Sequence, residues 1–177
     1  MTHFAVIGGG ITGVTSAYAL AKQGHRVTLI EKQRYPGMVT SYANGGQLSA
    51  SNAEVWNSPA TLIKGLKWMF KADAPLLMNP KPSWHKLSWM AEFVASIPKY
   101  EQNTIATTRL AIQAREHLYA WAAEEGIDFD QQSSGILHIY RDKAGFEQAT
   151  KVSALLAKGG LQRQAVTPDD MRAIEAP

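Results

Sequence analysis

Along the first thirty-one residues, apolar runs alternate with glycines in a pattern that predicts a strand, a tight turn, a helix and a second strand. Phe4 to Ile7 is continuously apolar, as expected of a parallel strand covered on both faces. Val14, Ala17, Tyr18 and Ala21 share one side of a helix that stops at Gly24, and Val27, Leu29 and Ile30 then give a strand that delivers Glu31. Leu62, Leu66 and Phe70 recur at helical spacing and predict an amphipathic helix over 61–71; Leu87, Met90, Val94 and Ile97 predict another over 87–97. Between them Pro75, Pro80 and Pro82 force an extended connection. The longest helical pattern covers 101–125, with Leu110, Ala114, Leu118 and Trp121 on one stripe and Gly126 beyond its end. Gly135 to Tyr140 reads as a strand with Ile136, His138 and Tyr140 on one side. His138 there is either a structural histidine or part of a substrate cavity lining. A helix over 143–158 ends at Gly159-Gly160. Another opens with Thr167 as N-cap, Pro168 in the first helical position and Asp169 and Asp170 in the first turn.

The turn after the first strand carries chemistry. Gly8, Gly10 and Gly13 stand in G-x-G-x-x-G spacing: the first permits the tight turn, the second lets backbone approach a diphosphate, and the third lets helix pack on strand. The diphosphate would sit on the helix N-terminus, where free N–H groups and the dipole favour an anion. Glu31 follows Gly13 by 18 residues (31 − 13), close to the offset at which an acid receives ribose hydroxyls. An acid there favours FAD or NAD over NADP. A glycine-rich turn alone could be purely structural, but strand, glycines, helix and acid all fall in register here. After Glu31 an NAD-type fold would continue with more helix and a third strand. This chain instead gives Tyr35-Pro36-Gly37 and a polar, glycine-rich loop from Thr40 to Ser49, in which adjacent glycines let backbone approach a flat ring while Ser41, Asn44 and Gln47 offer hydrogen bonds. Read alone, that loop could equally be a surface turn.

Composition narrows the field. With 45% hydrophobic residues the chain can bury a core, and a net charge of +3 from scattered basic residues gives no nucleic-acid footprint. Without cysteine there is no disulfide, no thiolate metal site and no cysteinyl-flavin link. No metal-ligand spacing occurs, and Ser, His and Asp are too dispersed for a hydrolase. Glycines cut the N-terminal apolar run, so neither a signal peptide nor a spanning helix is expected, and a cytoplasmic location follows. Trp56, Trp68, Trp84 and Trp89 are interleaved with Lys64, Lys67, Lys71, Lys81 and Lys86. They read first as core of a substrate domain with lysines on its wet face; the alternative is peripheral contact with the inner face of the cell membrane.

The N-terminal fingerprint, Thr40-Ser41 with Ala43-Asn44-Gly45-Gly46-Gln47-Leu48-Ser49, Ile63-Lys64-Gly65-Leu66-Lys67-Trp68-Met69-Phe70 and Ala74-Pro75-Leu76 together carry a resemblance over the whole chain. The sequence resembles the FAD-dependent amine and amino-acid oxidoreductases, the group of D-amino-acid oxidase, glycine oxidase and sarcosine oxidase, and within it the small subunits of bacterial D-amino-acid dehydrogenases. The resemblance implies FAD, held at its diphosphate by Gly8, Gly9, Gly10, Ile11, Thr12 and Gly13, at the adenosine ribose by Glu31 and Lys32, and at the flavin end by Ser41, Asn44, Gly45, Gly46, Gln47 and Leu48. It implies an α/β fold: a Rossmann-like FAD-binding βαβ unit over 1–55, then over 56–177 a mostly helical excursion and the start of an antiparallel substrate domain. The implied reaction passes hydride from a D-amino acid to flavin, gives a 2-oxo acid and ammonia, and sends electrons to a quinone-type acceptor.

Too few strands are found for a complete doubly wound sheet, the family commonly has Glu-Pro where this chain has Glu175-Ala176-Pro177, and the chain reads as truncated. Arg109, Arg115 and Arg141 read as solvated faces, so no catalytic residue is assigned. The competing readings are an L-proline or hydroxyproline dehydrogenase, a glycine-oxidase-like relative, and an inactive nucleotide-binding remnant.

Overall fold

The structure, a computed structural model, describes residues 1–69, 71, 73, 79 and 81–174. Phe70, Pro75, Pro80, the Ala74-Pro75-Leu76 segment and Glu175 to Pro177 lie outside the described residues. The chain divides into two compact units, Met1–Gln47 and Leu48–Pro177.

In the first unit, β1 (His3–Ile7) and β2 (Arg26–Ile30) pair in parallel, with His3 opposite Arg26 and Ile7 opposite Ile30. The crossover between them is α1 (Ile11–Lys22). Gly10 caps α1 at its N-terminus. At its other end Gly24, at φ +80, donates to Ala21 O while His25 N donates to Leu20 O, the paired bonds of a Schellman stop. The strands were expected to be covered on both faces. Phe4, Val6, Val27 and Leu29 are half-buried, whereas the alternate positions face solvent, with Ile7 85% exposed. Within the first unit a single crossover helix, α1, covers one face of the two strands.

The second unit is helical: α2 (Pro59–Trp68), α3 (Trp84–Ala95), α4 (Tyr100–Glu124), α5 (Lys143–Lys158) and α6 (Pro168–Ile174). Short 3-10 turns cover Ala50–Asn52 and Ile97–Lys99. Both α2 and α3 begin earlier than their apolar spacing predicts, because the cap decides the start. The Ser58 hydroxyl accepts from Thr61 N with Pro59 in the first turn, and the Ser83 hydroxyl accepts from Lys86 N. Ile97 is not on α3 but opens the 3-10 turn that follows it, since Pro98 has no N–H with which to continue the α-helical ladder. At α6, Asp170 N donates to the Thr167 hydroxyl while the Asp170 carboxylate accepts from Thr167 N, a reciprocal cap.

The packed face of α4 differs from the apolar stripe read in the sequence. Leu110 is 65% exposed, while Thr104 and Thr108 are fully buried and Ala122 nearly so. Small side chains win because α5 comes in close: a Cβ on Gly159 would lie 2.7 Å from Thr108 Cβ, and Leu156 beside it is fully buried. The hydroxyls cost nothing there, as Thr108 Oγ1 donates to Thr104 O and Thr107 Oγ1 to Ala53 O.

Two further expectations change. Gly135 to Tyr140 forms no strand; a strand needs a partner for its N–H and C=O groups, and none of the described residues pairs with it, so no antiparallel sheet forms among them. The tryptophans do not form a core either: Trp56, Trp84 and Trp89 are 79%, 82% and 56% exposed.

Candidate functional site

The glycine turn between β1 and α1 is tightest at Gly13. A Cβ there would fall 1.8 Å from Gly8 O and 2.9 Å from Gly8 C, so the first turn of α1 lies directly on the end of β1. Gly8 sits at φ +100, open to glycine and hostile to other residues, and its N–H bonds Ile30 O at 2.8 Å. Gly10 differs from both: φ is −75, and the nearest atom to an added Cβ is Ser41 Oγ at 3.5 Å. Position 10 is thus open for want of a neighbour rather than required by the fold.

Gly9 was given no separate role by the spacing argument, and the structure supplies one. Its N–H donates to Glu31 Oε2 at 2.5 Å, and a Cβ there would meet that oxygen at 2.9 Å and Pro36 Cα at 3.2 Å. Its carbonyl accepts from Gly37 N at 2.8 Å. Gly9 therefore lets the carboxylate at the end of β2 and the Pro36-Gly37 turn close onto the glycine turn; the uninterrupted run Gly8-Gly9-Gly10 is the signal that points to it. The N–H of Gln33, 2.8 Å from Oε1, and then that of Gly9 hold the Glu31 carboxyl below the usual carboxylate range. Glu31 is ionised at neutral pH and presents an acceptor at the strand end. Lys32 is its neighbour in sequence.

The loop after β2 reaches the start of α1 through Ser41, whose hydroxyl accepts from Ile11 N at 2.9 Å. Asn44 organises the loop itself: its amide donates to Thr40 O, and its side-chain oxygen accepts from Gly46 N at 2.8 Å with Gly46 at φ +62. Gln47 closes the first unit and is exposed; Leu48 opens the second. Of the residues singled out, Gly8, Gly9, Gly10, Ile11, Gly13, Glu31 and Ser41 are brought together by these bonds and contacts, Thr12 follows Ile11 on α1, and Gly45, Gly46 and Gln47 lie on the exposed part of the loop.

An FAD diphosphate fits this turn. The first N–H groups of α1 have no intrahelical acceptor, Val14 N to Gly10 O at 2.9 Å being the first such bond, and no acid lies in the first turn. By contrast α6 opens with Asp169 and Asp170. The first turn of α1 carries no acid of its own and the Gly10 approach is clear, while the Glu31 carboxylate, held on Gly9 N, keeps lone pairs that can accept hydroxyls.

A second polar group, in the second unit, was not anticipated as a group. Ser49 Oγ, Ser51 Oγ and His138 Nε2 are joined by hydrogen bonds of 2.8 Å each. The Arg163 guanidinium bonds Ser153 Oγ, Ala149 O and Ser51 O. Ser51 and His138 are 87 positions apart, and no local spacing signals such a contact.

Compared with known proteins, residues 3–177 match the profile of the DAO family, described as FAD dependent oxidoreductase. The chain is 60% identical over 175 residues to D-amino acid dehydrogenase 3 of Mesorhizobium japonicum, covering 99% of this chain and 42% of that protein. It is 43% identical to the D-amino acid dehydrogenase of Paramagnetospirillum magneticum over 177 residues (96% of this chain, 41% of that protein), and 38% identical to that of Dechloromonas aromatica over 172 residues (96% and 41%). The chain thus spans about two fifths of the length of the curated relatives it matches. No solved structure matches it significantly.

Proposed function

Since the chain belongs to the DAO family of FAD-dependent oxidoreductases, we propose that it is the cofactor-binding part of a D-amino-acid dehydrogenase. The observation that carries the cofactor half of this reading is the acid-free N-terminus of α1 beside Gly10, with Glu31 ionised at the end of β2. The names of the relatives support the substrate half.

In this reading Gly8 to Gly13 hold the FAD diphosphate, Glu31 and Lys32 the ribose region, and Ser41 with Asn44 to Leu48 the flavin end. Residues 1–55 serve FAD, and 56–177 form the helical excursion and part of a substrate domain whose antiparallel sheet lies elsewhere. When bound, FAD supplies the hydride acceptor; the chain's own groups orient it and set the charge around it. The products are a 2-oxo acid and ammonia, and the electrons go on to a quinone-type acceptor.

The test is to assay the chain alone and the chain joined to the remaining part of the Mesorhizobium relative, side by side with added FAD, for D-alanine-dependent reduction of an artificial acceptor. Turnover is expected in the joined form only. Robust turnover by the chain alone would overturn its reading as a part of the enzyme. Activity of the joined form with L-proline and none with D-alanine would favour the L-amino-acid rival, and flavin binding without turnover on either would favour the remnant.

The exposed tryptophans on and beside α2 and α3 support peripheral membrane contact as part of the same reading, with lysines on the same helices to meet anionic headgroups. No helix among the described residues is long and apolar enough to cross a membrane. Changing Lys64, Lys67 and Lys71 together to Glu is expected to abolish co-sedimentation with anionic vesicles. Equal binding by both proteins would remove the membrane contact from the reading.

A further inference from the structure

Between α4 and α5 of the second unit, the chain from 127 to 142 runs without helix or strand, and Leu137 and His138 are its half-buried residues, the rest being exposed. The hydrogen bond that ties this segment to a distant part of the chain joins His138 Nε2 to Ser51 Oγ at 2.8 Å, across 87 positions. Among the described residues its other hydrogen bonds are local: Ile127 N to Ala122 O, Gln131 Nε2 to Ser133 Oγ, and the Asp142 cap of α5. The segment is therefore fastened at one place.

The place it is fastened to is firm. Ala50 is 3% exposed, the Ala53 carbonyl accepts from Thr107 Oγ1 at 2.7 Å, and Val55 N donates to Thr104 Oγ1. The Glu54 carboxylate accepts from the Tyr100 hydroxyl; burial and then Glu54 raise the Tyr100 pKa, so the phenol stays protonated at neutral pH and the bond persists. From the other side the Arg163 guanidinium donates to the Ser51 carbonyl and, on α5, to Ser153 Oγ and the Ala149 carbonyl. Those bonds hold a permanent positive charge beside the His138 ring.

Protonating the ring does not by itself break its hydrogen bond, because the Ser51 hydroxyl can turn to accept instead of donate. It adds a second positive charge next to Arg163 in a half-buried place. The carboxylates of the surrounding elements are engaged elsewhere: Glu54 by Tyr100, Asp142 by Gly145 N, and Glu147 by Lys143, while Asp128 and Asp130 lie on the exposed part of the segment.

We propose that His138 is a pH-sensitive latch of the second unit: with its ring neutral it fastens the 127–142 segment to the Ser49–Ser51 turn, and protonation shifts the segment toward a released state in which water hydrates the charge. Burial first, then the Arg163 guanidinium, lower the His138 pKa below the ordinary histidine value, so the latched ring binds a proton less well than the released one. The latch is at full strength above about pH 6.5, weakens as pH falls below it, and stops weakening once pH is below the latched ring's own depressed value.

Cleavage by thermolysin, which cuts before leucine and isoleucine, reads the released fraction at Ile136, Leu137 and Ile139. The rate for the intact chain is divided at each pH by the rate for a free peptide of residues 133–142, which removes the protease's own pH dependence. Between about pH 8 and pH 5 the normalised rate of the unaltered chain is expected to rise about threefold or more. His138→Gln, measured against its matching peptide, should give a flat profile whether its rate is slow or fast, since glutamine does not titrate. Arg163→Gln should be cleaved faster at every pH, having lost the brace, but with a smaller rise, because the ring's charge is then less costly in the latched state. A purely structural histidine would give none of this pattern. The proposal is overturned by a flat profile in the unaltered chain, by a rise that survives in His138→Gln, by a rise that grows in Arg163→Gln, or by one shared equally by sites within α4 and α5, which would mean that the whole unit opens. Titration of the His138 ring by NMR in the intact chain is the independent check: a midpoint below about pH 6.5 is expected, and one at or above it overturns the latch.

Discussion

Replacement of Gly13 by alanine is expected to unfold the first unit of the chain or to cost it about 3 kcal/mol or more, because the added Cβ would lie 1.8 Å from Gly8 O. The obstacle is backbone, which cannot rotate aside as the end of a long side chain could. Relief requires α1 to lift off β1, which exposes Phe4, Val6, Val27 and Leu29 and pulls the Gly10 N-cap away from Ser41. Against the total of about 5–15 kcal/mol typical of a domain, a loss of this size is decisive. Urea unfolding followed by far-UV circular dichroism measures it. Gly65→Ala on α2, where a Cβ would meet nothing within 4 Å, serves as the control and should be neutral or gain about 1 kcal/mol. If Gly13→Ala proved as stable as Gly65→Ala, the close approach of helix and strand would be disproved.

The parts of the fold that were legible in the sequence are those fixed by local rules. The glycine spacing and the stop at Gly24 predicted β1, α1 and β2 because Gly8 and Gly24 sit at positive φ, which few other residues allow, and Gly13 stands where no Cβ fits. Gly126 and Gly159-Gly160 placed the ends of α4 and α5 for the same reason. Where the outcome depended on partners distant in the chain, residue type misled. The stripe of Leu110 and Ala114 reads as a core face, yet Thr104 and Thr108 are the buried positions, since threonine can bond its own helix carbonyl and is small enough to admit Gly159. The run from Gly135 to Tyr140 has β-forming residues, but strand structure belongs to a pair, and the pair is not formed among the described residues.

The candidate site divides along the same line. Gly8, Gly10 and Gly13 were legible from spacing alone, whereas the engagement of Gly9 with Glu31 depends on how the chain turns after β2 at Pro36-Gly37. Likewise the residues alone marked Ser41 as a hydrogen-bonding residue in a polar loop, and the resemblance implied the flavin end for it; its place on Ile11 N, 30 positions away, is a tertiary fact. Ser51, His138 and Arg163 lie farther apart still, and their types are common enough that nothing in the sequence singled them out together.

Replacement of Gly10 by valine should have the opposite signature to that of Gly13: FAD affinity falls by about a hundredfold or more while stability is nearly unchanged. The backbone at Gly10 is extended, at φ −75 and ψ 179, a conformation that valine adopts readily. The nearest atom to an added Cβ is Ser41 Oγ at 3.5 Å, an ordinary contact, so the fold has room for it. That room is the space over the N-terminus of α1, where the proposed site would bring a diphosphate within hydrogen-bond distance of N–H groups that have no intrahelical acceptor. A branched side chain there holds the phosphates off, and because the attraction between an anion and a helix end fades within the first turn, a displacement of one methyl group removes most of it. Gly10→Ala should fall between the two, since its single methyl narrows the approach without branching. Bound flavin per chain after gel filtration, set beside the thermal midpoint of each variant, reads both quantities at once. Valine at position 10 with wild-type flavin content would show that the diphosphate does not lie on this turn, whatever cofactor the protein holds; lost flavin with an unshifted midpoint is the result expected of the proposed site.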